Sequence, residues 1–108
     1  MITAIVTAKM PAGLTRKEYA EHATRIAERF QTIPGLIRKQ FTFNAQEGIG
    51  GGVYLWENQE AAEACYQGVW RDNFRNAFGV EPQIVFFECP VVVDNEHHTI
   101  KVATPAKA

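Results

Sequence analysis

Ile2, Ala4, Val6 and Ala8 alternate with Thr3, Ile5, Thr7 and Lys9, and both sets contain apolar side chains. A strand covered on both faces carries that pattern, so Ile2–Lys9 predicts a central strand. Pro11, Ala12 and Gly13 break the alternation. Thr15 followed by Glu18 is a capping-box pair, and Tyr19, Ala23, Ile26, Phe30 and Ile33 then recur on one helical stripe. A helix is predicted over residues 15–33, stopped by Pro34-Gly35. Alternation returns over Leu36–Asn44, with Ile37, Lys39, Phe41 and Phe43 on one face and Arg38, Gln40 and Thr42 on the other.

The same sequence of elements then repeats. Residues 45–50 read as a hairpin connection and 51–57 as a short apolar strand. Gly50-Gly51-Gly52 at its entrance predicts a bulge or a close approach of the backbone to something else. Asn58 is a good N-cap for a helix over 58–78, interrupted at Gly68 and capped by Gly79. A last strand is predicted over 83–93, bent at Pro90. The order βαββαβ implies an α+β fold of the ferredoxin-like type, a four-stranded sheet with two helices on one face.

In that topology the last strand lies at a sheet edge, yet it is apolar on both faces through Ile84, Val85, Phe86, Phe87, Val91, Val92 and Val93. A long apolar edge left in water invites aggregation. A partner subunit covering the edge and the open face of the sheet resolves the conflict, so a homodimer is expected. The domain is assigned to residues 1–95, and the polar, Ala/Lys-containing residues 96–108 to a C-terminal tail.

Composition narrows the function classes. The net charge of −1, with no basic stripe, gives no footprint for nucleic acid or an anionic membrane. No apolar run approaches the ~20 residues of a membrane span, and no signal-peptide pattern opens the chain, so a cytoplasmic protein is expected. Cys65 and Cys89 belong to no CxxC pair and read as buried reduced thiols. No zinc-ligand spacing, P-loop, GxSxG, HExxH or dinucleotide fingerprint is present, so neither metal nor cofactor is expected.

The candidate chemistry lies between helices and sheet. Tyr54 and Trp56 point to one side of their strand, as an aromatic wall for a planar substrate or as ordinary core; their polar tips favour a pocket edge. Tyr66, Trp70, Phe74 and Phe78 recur at helical spacing, which is a core pattern, but the break at Gly68 offers Trp70 a pocket mouth. Phe41 faces the same space. His22 flanks the stripe of the first helix and is the candidate base, with a structural histidine as the plainer reading. Arg38 and Arg71 are possible anion partners or solvated surface groups. Asp72 and Glu57 read as exposed, and His97 and His98 receive no role.

The segments Pro34-Gly35-Leu36-Ile37-Arg38-Lys39, Gly51-Gly52-Val53-Tyr54-Leu55-Trp56-Glu57 and Pro90-Val91-Val92-Val93-Asp94-Asn95 resemble the YdhR-type and antibiotic-biosynthesis-monooxygenase-like proteins. The resemblance covers residues 1 to about 95. It implies a dimeric α/β barrel, in which two ferredoxin-like subunits pack their sheets face to face and each holds a pocket between sheet and helices. Relatives include cofactor-independent oxygenases of aromatic polyketides and heme-degrading enzymes. Trp56 matches a tryptophan those relatives often carry, but the following helix reads Ala64-Cys65-Tyr66-Gln67, without the histidine many of them place there. That departure speaks against a heme role.

The reading is a cofactor-independent monooxygenase acting on a small aromatic or enolic compound, with His22 catalytic and Phe41, Tyr54, Trp56, Tyr66 and Trp70 contacting substrate. The alternatives are a non-catalytic small-molecule-binding or stress-associated module, or an isomerase, on the same fold.

Overall fold

The structure is a computed structural model that describes residues 1–103. Six strands, β1 (Ile2–Lys9), β2 (Leu36–Asn44), β3 (Ile49–Trp56), β4 (Gln83–Glu88), β5 (Val91–Asp94) and β6 (Thr99–Val102), alternate with α1 (Arg16–Ile26), α2 (Gln59–Cys65) and α3 (Val69–Phe78). The main sheet is antiparallel in the order β2-β3-β1-β4, the ferredoxin-like order. No helix among the described residues is long and apolar enough to cross a membrane.

The helix ends follow from local chemistry. The Thr15 side chain accepts from the Glu18 N–H at 3.1 Å, and the Glu18 carboxylate accepts from the Thr15 N–H at 2.9 Å. α1 is shorter than expected: its last turn tightens into a 3-10 turn, Ala27–Phe30, and the stretch before Pro34 is not helical. Asn58 caps α2 through Ala61. Gly68, at positive φ, separates α2 from α3, and Gly79 closes α3 in the left-handed conformation.

Register fixes which residues face the helices. Ile2, Ala4 and Val6 of β1 are buried beneath them and pair with Trp56, Tyr54 and Gly52 of β3. On β2, Lys39, Phe41 and Phe43 pair with Tyr54, Gly52 and Gly50 and share that face. A bulge between Leu36 and Arg38 removes Ile37 from the set: Leu36 packs on the core instead, and Ile37 is 48% exposed.

The glycine triplet is a place of close approach. A Cβ on Gly51 would lie 1.9 Å from the Val6 carbonyl oxygen. The Tyr19 hydroxyl bridges this backbone, donating to the Gly51 carbonyl at 2.8 Å and accepting from its N–H at 3.2 Å. α1 is thereby pinned to the middle of the sheet.

The opposite sheet face carries Ile5, Val53, Leu55, Val85 and Phe87, with Val85 and Phe87 each 51% exposed. The strand predicted over 83–93 divides at Pro90, which has no N–H for the ladder. Its second part pairs with β6 as a separate hairpin. That hairpin straddles the boundary drawn at residue 95, so residues 99–102, read as tail, are a strand. Residues 104–108 of the expected tail lie outside the described residues. Val91, Val92 and Val93 line a groove with Arg38, Gln40, Val53 and Leu55 over the open face.

Candidate functional site

A cavity of about 320 Å³ lies between the helices and the sheet. Its floor is β-sheet: Val6, Lys39, Phe41, Gly51 and Tyr54. One wall is α1 and the turn after it, through Tyr19, His22, Ile26, Arg29, Phe30 and Ile33; the other is α3, through Val69, Trp70, Asn73, Phe74, Ala77 and Phe78. Cys65 closes one end. Val69, 75% exposed, and the exposed Arg29 and Asn73 place the mouth between the two helices. The volume and the dominance of apolar lining fit a site for a small organic molecule.

Four of the six residues singled out from sequence line this cavity: His22, Phe41, Tyr54 and Trp70. Trp56 and Tyr66 do not. Trp56 is fully buried, and its indole N–H donates to the Tyr66 hydroxyl at 3.0 Å. Their polar tips satisfy each other, so the tip that suggested a pocket edge is consumed inside the core. Tyr66 stacks edge-on against Tyr54, Trp56 and Trp70. The pair forms a supporting layer behind the floor. A second bond of the same kind, Trp70 N–H to the Tyr54 hydroxyl at 3.2 Å, ties α3 to β3 at the cavity margin. Burial raises the pKa of both tyrosines well above the ordinary phenol value, so they are neutral hydroxyls at pH 7.

His22 meets Phe78 edge-on across the cavity, with ring centroids 5.3 Å apart. Burial lowers its pKa, and the positive charges of Arg25, Arg29 and Lys39 lower it further. The imidazole is therefore neutral at pH 7 and able to accept a proton. The two arginines weighed from sequence are elsewhere. Arg38 lines the groove on the open face, and Arg71 pairs with Glu81 at 3.0 Å. His97, given no role, donates with its backbone to Asp94 and pairs with it in the β5–β6 turn.

The residue that sequence reasoning missed is Lys39. Its ammonium lies 3.4 Å from the ring centre of Phe30, 3.8 Å from Phe41 and 4.6 Å from Tyr54. No carboxylate pairs with it among the described residues. Burial pulls its pKa down to about 7, opposed by Cys65, whose own thiol burial pushes up to about 11. The ring faces act the other way, because each attracts the ammonium and not the amine. One signal was legible: a charged residue at an inward position between Leu36 and Phe41 on an otherwise apolar strand face.

Among the described residues, no group of three or more His, Cys, Asp or Glu side chains is arranged to hold a metal. The cavity offers instead a proton acceptor, a cationic amine and aromatic faces. Such a set suits the binding and deprotonation of a planar, acidic organic molecule.

Comparison with known proteins gives a family and a fold. The family model described as "Putative mono-oxygenase ydhR" matches residues 6–88. No curated protein matches the chain. Among solved structures it is similar to a monooxygenase from the gene ActVA-Orf6 of Streptomyces coelicolor, in complex with the ligand nanaomycin D. The TM-score is 0.60 at 20% identity, covering 80% of this chain and 84% of that one. An antibiotic biosynthesis monooxygenase of Deinococcus radiodurans, itself described as putative, gives 0.64 at 14% identity over 87% and 97%. One from Nitrosomonas europaea, described likewise, gives 0.61 at 20% over 82% and 98%. At these identities the likeness is one of fold.

Proposed function

Since the chain belongs to the YdhR-type mono-oxygenase family, we propose that it is a cofactor-independent monooxygenase acting on a small aromatic or enolic compound held between helices and sheet. The observation that supports this most is the joint presence of a neutral His22 and aromatic faces around one cavity of about 320 Å³. In this reading His22 takes a proton from the substrate, leaving an electron-rich enolate or phenolate. That anion supplies the electrons for O₂: an activated CH₂ and O₂ become C=O and H₂O, with no external reductant. Phe41, Tyr54 and Trp70 hold the ring system, and Trp56 and Tyr66 support them from behind. The apolar surroundings keep water from reprotonating the anion.

The test is O₂ uptake by the purified protein with electron-rich phenols and enolisable aryl ketones, with product analysis. Uptake matched by ketone and water formation supports the reading; binding without uptake favours the non-catalytic module, and isomerised product without uptake favours the isomerase. His22→Gln is expected to lower kcat by about 100-fold or more, the usual range for loss of a general base. Full activity in the folded variant removes His22 from that role.

The open sheet face with Ile5, Val85 and Phe87, and the valines of the β5–β6 hairpin, support a homodimer in which a second copy covers both. An obligate interface of this kind buries on the order of 2,000 Å² or more. Sedimentation is expected to give a dimer at low micromolar concentration, and a stable folded monomer there would remove the proposal.

A further inference from the structure

The charge around the cavity is one-sided. The chain has 12 Asp and Glu residues against 11 Lys and Arg, so composition alone favours neither sign. Yet no Asp or Glu lines the cavity, whereas His22, Arg29 and Lys39 all do. The remaining titratable groups on its surface, Tyr19, Tyr54 and Cys65, are each held neutral at pH 7 because burial disfavours their anions. The three basic groups also lie on one side. His22 on α1 and Arg29 on the 3-10 turn that follows it both line the cavity, and Phe30, next to Arg29, is the ring closest to the Lys39 ammonium. The α3 wall opposite contributes Val69, Trp70, Asn73 and Phe74 and no ionisable group. A cation in such a place, with rings beneath it and no carboxylate beside it, is completed by an anion entering from the open side.

We propose that the cavity selects organic anions: a planar aromatic molecule bearing one anionic oxygen, a carboxylate or an ionised phenol or enol. That oxygen sits against the Lys39 ammonium and the rings lie against Trp70 and Phe74. Arg29 at the mouth attracts the anion, and Lys39 fixes its orientation. The inference rests on the cavity being the substrate site, but goes beyond that reading by assigning the ligand's charge and the residue that recognises it. It gives Lys39 a specificity role. Anion binding also favours the protonated amine, so binding is coupled to proton uptake when the amine is partly deprotonated.

The experiment compares 2-naphthoate with its neutral counterpart 2-naphthamide at pH 7, by calorimetry and by quenching of tryptophan fluorescence. The wild-type protein is expected to bind the acid at least tenfold more tightly. In Lys39→Met, which keeps the stem's length and apolar character, the preference is expected to fall below twofold; Lys39→Arg is expected to retain most of it. A third arm uses 2-naphthol: its appearance as bound naphtholate below its solution pKa marks an ionised phenol as the better occupant, while tighter binding of naphthoate marks a carboxylate. Equal affinity for acid and amide, a preference that survives Lys39→Met, or binding of none of the three at millimolar concentration overturns the proposal. Binding is measured without turnover. Acid selectivity in a protein that consumes no O₂ therefore sinks the oxygenase reading alone, and oxygenation of neutral substrates without acid selectivity sinks this inference alone.

Discussion

Two ends of one aromatic layer do different things. At the α2 end, Trp56 and Tyr66 are buried and hydrogen-bonded to each other. Every polar atom there has a partner, and the rings meet edge-on at 5–6 Å, as aromatic pairs prefer. At the α1 end, Phe30, Phe41 and Tyr54 surround an ammonium that has ring faces but no carboxylate. Both ends are aromatic, but Trp56 and Tyr66 are buried whereas Phe30, Phe41 and Lys39 are half-buried. Polar pairing separates the two: at the first end the indole N–H and the hydroxyl meet each other, while at the second the ammonium meets ring faces and no carboxylate among the described residues. Tyr54 belongs to both, its ring under Lys39 and its hydroxyl bound by Trp70.

The largest effect expected from breaking this comparison is at the closed end. Trp56→Ala removes a fully buried indole and is expected to cost about 3–5 kcal/mol in denaturant unfolding. A cost below about 1 kcal/mol places Trp56 outside the core. Tyr66→Phe is subtler: it leaves the Trp56 N–H buried without an acceptor and is expected to cost about 1–3 kcal/mol. Unchanged stability means that the hydroxyl is not what satisfies the indole.

At the open end, the expected effect concerns pH. The Lys39 pKa is about 7 in the folded chain against an ordinary 10.5. Between those values the unfolded chain binds more protons, so stability rises with pH across that window. The penalty is fully present below pH 7 and gone above about 10.5. Lys39→Met is expected to flatten the profile from pH 7 to 10 and to be at least as stable as wild type at pH 7. An unaltered slope in the variant means that the ring faces hold the ammonium as well as water does.

The element order, the capping box, the Asn58 cap and the break at Gly68 were all legible, because each depends on residues a few positions apart. The division at Pro90 was foreshadowed by its missing N–H, but the β5–β6 hairpin was not. A polar stretch reads as tail unless the pairing of Val91–Asp94 with Thr99–Val102 is known. The site was half legible. Alternation placed Phe41 and Tyr54 on the inner face correctly, yet could not tell Trp56 from Trp70, since both point inward. What separates them is a hydrogen bond to Tyr66 and a position on the far side of Gly68. Lys39 was hidden for a related reason. On β2 it is one charge in an alternating strand, and its setting comes from Phe30 on another element and Tyr54 on the neighbouring strand, joined only by register.

The most direct test of the contrast between the two ends is the affinity for 2-naphthoate of Tyr66→Phe and Lys39→Met, measured side by side with wild type at a temperature where all three are folded. The account predicts that Tyr66→Phe, though less stable, binds within about twofold of wild type, while Lys39→Met, undiminished in stability, loses at least tenfold. Loss of binding in Tyr66→Phe with full binding in Lys39→Met contradicts it.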